Sequence, residues 1–459
     1  MRKAYEYALY EHVTVLLRSG AIHLVSSGKS EVIRLFRATR IRNFRIVLLG
    51  SLVAHTGTWI HRLAQDWLVI DLTEGSASAL GMVAALQFLP LPLFGLLAGA
   101  AADRWSKRWV LATATVFQLL VSVMIGALVL TDRISLPSLA VLSFLFGVGT
   151  AFELPSRQSF VTELVGRDDI SNAVSLNSLS FNVARVAGPV AAGMLIATVW
   201  HSVGPLYIVH ALTTFSTLAS LAMLRESEFF DRSAARVRGS IVDGLRYVKA
   251  RPDLTFVVIV AAFAGLFGLN FQVLIAMLAR RDLDLGADGL GIMSSLFAIG
   301  GVLGALASAG FSRARLRHLA GSATIFGVLI VLAAFAPNAA VFGVVVLPLG
   351  FFALAVLTSS NALMQASASA AMRGRVMSIY VVVIFLGTPV GAPAIGALAE
   401  WLGAPTAIAM GGFALVAVTV VSAAVTGRQL GSTRRGAASS ASRLFSWPAG
   451  RRGGGTSAL

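Results

Sequence analysis

The sequence predicts an all-α membrane protein of twelve transmembrane helices, arranged as two parallel six-helix repeats. Three observations carry that prediction. The chain of 459 residues is 56% hydrophobic and only 13% charged, with a mean hydropathy of +0.80. A soluble domain carries about 25% charged residues, so roughly half of the polar cover that water demands is missing. Apolar stretches long enough to cross roughly 30 Å of hydrocarbon recur twelve times. The basic residues then fall almost entirely into alternate connections, as a bilayer sorts them.

In chain order, residues 1–43 read as a basic arm. The apolar run at 12–17 is too short to span and has no small-residue cleavage site after it, which argues against a signal peptide. An amphipathic turn is expected near 33–36. A first bundle follows over 44–224, with spans near 44–70, 78–102, 109–130, 136–156, 174–199 and 204–224. Residues 225–253 form a long polar linker. A second bundle occupies 254–427, with spans near 254–279, 288–311, 319–336, 339–366, 376–399 and 403–426. Residues 428–459, rich in Gly, Ser, Ala and Arg with little to bury, read as a disordered tail.

An even number of spans places both termini on one side. That side collects 32 of the 37 Lys and Arg residues: both ends, the linker and the connections after spans 2, 4, 8 and 10. The opposite connections hold three, Arg133, Arg280 and Arg281, and Arg62 and Arg185 lie within spans. The positive-inside rule makes the basic side cytoplasmic. It also accounts for the net charge of +16 without a nucleic-acid partner. There are no cysteines, no HxxxH pair and no GxxxxGK[ST] loop, so nothing points to a thiol enzyme, a metal, another cofactor or nucleotide hydrolysis.

The duplication shows in two landmarks. Gly99-xxx-Asp103 closes the second span and Gly304-xxx-Ser308 closes the eighth, an offset of 205 residues. Gly188-Pro-Val-Ala-Ala-Gly193 in the fifth span is echoed by Gly391-Ala-Pro393-Ala-Ile-Gly396 in the eleventh, an offset of 203. Parallel halves of this kind, related by an axis along the membrane normal, are one of the large transporter architectures.

The twelve spans, the duplication and Gly99-xxx-Asp103-Arg104-xx-Lys107-Arg108 resemble the major facilitator superfamily over residues 40–427. The superfamily motif has a glycine where Ser106 stands. The stretches around Trp59-xx-Arg62-xx-Gln65-Asp66, Phe152-Glu153-xx-x-Arg157 and Asn182-xx-Arg185-xx-Gly188-Pro189 are similar to the bacterial exporter branch that includes the enterobactin exporter. The resemblance implies a secondary active exporter of a small organic molecule in the cytoplasmic membrane. It implies alternating access coupled to proton antiport by a monomer whose partners are its substrate, protons and the bilayer. An importer, or a non-transporting receptor or scaffold on the same fold, is the alternative reading.

The resemblance also implies a gate. Asp103, with Gly99, Arg104 and Arg108, would latch one side of the protein by meeting the start of the eleventh span at Arg373 and Arg375. Helix kinks are expected at Gly188-Pro189 and at Gly391 with Pro393, since proline removes a backbone hydrogen bond. Gly188-Pro189 is a degraded form of the drug:proton antiporter motif, whose consensus has Gly where Ala184 and Ala192 stand. The remaining candidates follow from cost, because ionisable side chains inside a bilayer are expensive and face wet, functional interiors. They are His55, Arg62, Asp66, Glu153 and Arg185, in roles of substrate recognition or proton coupling. Arg62 and Asp66, four residues apart, share a helix face. Glu153 is the expected partner of Arg185 should the latter be purely structural. Asn270 and Gln272 interrupt the seventh span as hydrogen-bonding groups or as helix–helix contacts.

Overall fold

The computed structural model describes residues 36–230, 241–268, 270–309 and 315–444. Residues 1–35 of the arm, with most of the turn expected near 33–36, residues 231–240 of the linker, Gln272 as a side chain, and residues 445–459 lie outside the described residues. Among those described there is no strand. The helices are α1 (Arg42–Thr73), α2 (Ala77–Phe88), α3 (Pro90–Arg104), α4 (Lys107–Leu130), α5 (Leu136–Glu163), α6 (Ile170–Leu195) and α7 (Gly204–Ala222). After the linker come α8 (Ile241–Lys249), α9 (Pro252–Phe263), α10 (Phe271–Arg281), α11 (Ala287–Ala309), α12 (Leu316–Ala334), α13 (Ala339–Ser367), α14 (Arg373–Leu402) and α15 (Ala404–Leu444).

Among the described residues eleven segments are long and apolar enough to cross a membrane, which makes the chain a multi-pass membrane protein. The expected first span is not among them. Its helix, α1, has 32 residues, roughly 48 Å at 1.5 Å per residue, and so has the length. It fails on composition, because it carries Arg45, His55, His61, Arg62, Gln65, Asp66 and Asp71. Two other boundaries move. α5 runs to Glu163, seven residues past the expected end of the fourth span, and so takes Arg157 inside. α15 continues to Leu444 where a tail was expected from 428. Its Ala and Arg residues favour helix, while Gly431, Gly436 and the serines do not, so the extension follows the preceding span rather than its own propensity.

Local chemistry sets the ends. Ser76, Ser135 and Asn338 cap α2, α5 and α13 by accepting from backbone N–H groups of the first turn. Pro90, Pro137, Pro205 and Pro252 occupy first-turn positions, where the missing N–H costs nothing. Pro90 also divides the second span into α2 and α3 just after Phe88. π-helical turns at Ile196–Trp200 and Ala264–Gly268 interrupt the fifth and seventh spans. Pro189 stands inside α6, and Pro389 and Pro393 inside α14.

Short connections return the chain alternately between two faces. One, the near face, holds residue 42, the linker and the Arg104–Lys107 turn; the other is the far face. The halves meet along two helix pairs, α2 with α14 and α6 with α11. Both crossings lie toward the far face, and both need glycine. A Cβ on Gly81 would stand 2.3 Å from the carbonyl oxygen of Ala392, and one on Gly291 would stand 2.4 Å from that of Pro189. Toward the near face α3, which continues the span of α2, leaves α14, and a Cβ on Gly95 or Gly99 would meet nothing within 4 Å.

Candidate functional site

The polar interior belongs to the first half, and α1 supplies most of it. Trp59 and Arg62, three residues apart, share a face. The Arg62 guanidinium lies over the Trp59 ring at 4.7 Å and over Phe88 at 5.1 Å. Arg185 reaches the same indole from α6 at 5.6 Å, and touches Phe297 of α11, in the second half, also at 5.6 Å. The two arginines therefore converge on one tryptophan at the seam between the halves. Each has a buried Nε without an acceptor. Phe181 closes the group, edge-on to Trp59 and to His55.

The expected pairings are rearranged. Glu153 does not meet Arg185. It accepts from Arg157 Nε at 2.9 Å and Nη2 at 2.6 Å, and from Gln118 Nε2 at 3.0 Å. Arg157 also donates to Ser51 Oγ at 2.8 Å, which ties α5 to α1. Arg157, counted in the sequence among the loop bases, is thus a buried member of the interior. The signal for it was present, since Glu153 and Arg157 have the i,i+4 spacing of an ion pair on one helix face. Asp66 forms no ion pair with Arg62, whose guanidinium turns to the rings instead. His55 is buried against Phe181 with its Nδ1 unpartnered.

Sequence spacing gave no sign of a second cluster. His61, Ser122 and His210 come from α1, α4 and α7; Ser122 Oγ lies 3.1 Å from His61 Nδ1 and 2.6 Å from His210 Nδ1. Thr214 Oγ1 completes the chain at 3.1 Å from His210 Nε2. All but Thr214 are essentially without solvent exposure. Below them Gln65 bridges Gln87 and Ser143. These groups bond to one another inside the first bundle, and His61 Nε2 is the one ring nitrogen of the cluster left without a partner among the described residues.

In the second half, Asn270 is turned onto backbone. Its Nδ2 donates to Leu266 O at 2.7 Å and, more weakly, to Gly265 O and to Gly387 O of α14. It repairs the carbonyls freed by the π turn and joins two helices. Gly391 is held in the same packing, its Cα facing Leu266 O and the Asn270 amide. Gly188 packs α6 against α1 at Trp59.

The gate residues are apart. Asp103 and Arg104 are exposed at the end of α3. Arg373 turns back on its own half, Nε donating to Gln365 O at 3.2 Å, and lines a cleft of about 800 Å³ with Asn361 and Tyr380. Arg375 Nη1 rests on Met372 Sδ. Arg108 pairs with Glu226, and Lys107 pairs with Glu163. These ties fasten the near face of the first half to itself. At the far face Glu400, at the end of α14, accepts from Ser76 Oγ at 2.6 Å and from Ser78 N and Oγ at 3.3 Å. That contact joins the halves.

The fold is that of the major facilitator transporters. A bacterial homologue of the human lysosomal transporter Spinster, solved in an inward-facing and unoccupied conformation, superposes with a TM-score of 0.65 at 18% identity, covering 84% of this chain and 96% of that one. Residues 35–446 match the model of the transmembrane secretion effector family, and the chain belongs to that family. Among its relatives, the multidrug efflux pump Tap of Mycolicibacterium fortuitum is 29% identical over 78% of this chain and 89% of its own. The enterobactin exporter EntS of Shigella flexneri is 24% identical over 84% and 90%. The protein is a secondary transporter of the small-molecule exporter type, and not an enzyme.

Proposed function

We propose that this chain exports a small organic molecule across the cytoplasmic membrane by rocking its two halves, with both termini and the near face in the cytoplasm and with protons as the counter-ion. The separation of the halves at the near face while the far-face crossings stay packed is the observation that carries this reading. A path open to one side and shut to the other is one state of an alternating cycle. Substrate enters from the near face and reaches the seam at Trp59, Arg62 and Arg185. The halves then close over it through Asp103 at the start of α14, where a carboxylate meets both the helix N-terminus and the Arg373 and Arg375 guanidinium groups. Only contacts that differ between the two states can bias the exchange, and this one is absent when the near face is open.

Proton coupling falls to the first half. Glu153 sits behind the seam, on a guanidinium and an amide, and its protonation would release Arg157 and alter the packing of α5 on α1. Asp66 and His55 of α1 are the other candidates for the proton. Multidrug and siderophore export among the relatives supports the direction. The distribution of bases, 31 to 3 with Arg157 assigned to the interior, supports the placement of the termini.

The test is efflux of drug-like dyes in inverted vesicles carrying the full chain, with and without a proton-gradient uncoupler. Gradient-dependent accumulation is expected, and it is lost with the uncoupler. In Glu153→Gln vesicles counterflow, which needs no gradient, is expected to persist while gradient-driven accumulation falls. Accumulation untouched by the uncoupler would end the proton assignment.

A further inference from the structure

Two cations, Arg62 and Arg185, stand at the seam without an ion pair to any described residue. Glu153 is engaged by Arg157 and Gln118, and Asp66, one helical turn from Arg62, acts on it only from beyond ion-pair distance. Each arginine buries its Nε without an acceptor. Unpaired charge in a bundle interior is costly, several kcal/mol per ion after relaxation, and a cation–π contact returns about 2 kcal/mol at best. The two groups also repel each other across one indole. A packed, purely structural interior would have neutralised them, as it does at Arg157.

Their placement says what would neutralise them. The guanidinium fork matches the two oxygens of a carboxylate or similar oxyanion, and is less strongly hydrated than an ammonium. Around the two forks stand Trp59, Phe88, Phe181 and Phe297, flat apolar surfaces from α1, α2, α6 and α11. Arg185 itself reaches across to the second half, its Nη1 close beside Gly301. An occupant held here touches both halves at once.

We propose that the seam binds an organic anion, its oxyanion held by the Arg62 and Arg185 guanidinium groups and its aromatic body packed on Trp59, Phe88 and Phe297. The transport reading gives this site its role, and the proposal names the substrate class that site selects. Cations of the same size and shape are rejected by the two unpaired arginines, so the specificity is set by charge as much as by fit.

Two dyes with the same ring system separate the possibilities: fluorescein, an anion at neutral pH, and rhodamine 123, a cation. Binding to the purified full chain in a non-ionic detergent is read by fluorescence anisotropy. Fluorescein is expected to bind at least about tenfold more tightly than rhodamine 123, a difference of one unit in log Kd. Arg62→Gln and Arg185→Gln, each checked for an unchanged gel-filtration profile, are expected to abolish that preference. Arg62→Lys and Arg185→Lys keep the charge and are expected to keep the preference, with weaker binding because the fork is gone. Equal binding of the two dyes, tighter rhodamine 123 binding, binding of neither dye, or a preference that survives both glutamine variants each overturns the proposal. Vesicle transport distinguishes the two readings. Rhodamine 123 export without fluorescein export keeps the exporter and ends the anion site. Selective fluorescein binding with no movement in vesicles keeps the site and ends the exporter.

Discussion

The two faces of this molecule are held by different chemistry. At the far face the halves touch through backbone: glycines at α2/α14 and α6/α11 let helices approach until a carbonyl fills the place of a side chain. The Glu400 carboxylate adds a polar clasp to Ser76 and Ser78. At the near face the ionic ties run within a half, Lys107 to Glu163, Arg108 to Glu226 and Arg37 to Asp169. Close packing in a membrane is driven by van der Waals fit and small residues. Long charged side chains at a water-facing end can be exchanged at little cost, since exposed ion pairs are worth about 0–1 kcal/mol. The far face is therefore the tight seal, and among the described residues the near face holds no comparable packing between the halves.

The two carboxylates are related by position. Glu400 ends α14 and meets the start of α2; Asp103 ends α3, and in the closed near face proposed above the start of α14 would be its partner. On that proposal each carboxylate clasps the opening turn of a helix from the other half, one at each face. Breaking either should bias the molecule toward opening on that side. The absence of cysteine from the sequence makes this measurable, because paired spin labels can be introduced at engineered cysteines without a background.

The largest effect is expected from Gly81→Leu. Its Cβ would meet the Ala392 backbone oxygen at 2.3 Å, and backbone cannot step aside as a side chain can. The α2/α14 crossing must separate, at a cost of about 1–3 kcal/mol or more for forced overpacking. Transport should be lost, and labels at Ser78 and Trp401 should move apart. A variant that transports normally with unchanged label distances would show that the far-face seal is not set by this crossing. Gly99→Leu is the control, since nothing stands within 4 Å of its Cβ in the near-open state. It is expected to leave that state intact and to obstruct closure alone.

Asp103→Asn ranks second. In the near-open state the side chain is exposed, so folding and membrane insertion should be unchanged. The near-closed state loses a charge-assisted contact of about 1.5–3 kcal/mol, enough to lower its population by about tenfold or more. Transport should fall accordingly, with labels at Ser106 and Ser369 shifted wholly to the long distance. Normal transport by this variant would remove Asp103 from the gate.

How much of this was legible before the structure depends on the range of the interaction. The spans, the duplication and the topology follow from composition and from bases counted along the chain, and the helices were found within a turn or two at most joints. α1 is the exception on composition, because the polar groups that serve the interior lower its hydropathy. Arg62 and Arg185 were visible as costs, being charges inside apolar runs. Their convergence on Trp59 was not, since it needs the packing of α1 on α6. Arg157 was misplaced by seven residues of helix that the apolar pattern ended too early. The His61–Ser122–His210 chain joins three helices with no sequence period among them, and Glu400 looked like a loop charge. Contacts within a helix turn could be read; contacts between helices required the crossing geometry.

The smallest and most discriminating change is Glu400→Gln. The side chain is exposed and its hydrogen bonds to Ser76 and Ser78 come from two hydroxyls and one backbone N–H, so the net worth of this clasp is about 1 kcal/mol, a roughly fivefold shift in the balance of the two states. The amide keeps the shape and one acceptor but gives up the charge that favours the first turn of α2. Far-face labels should then show a minor open population that wild type lacks, while dye binding at Trp59 is unaltered because the seam lies deeper. If the far-face distances are the same in the two proteins, the seal is made by the glycine crossings alone, and the likeness between Glu400 and Asp103 is one of position without energetic weight.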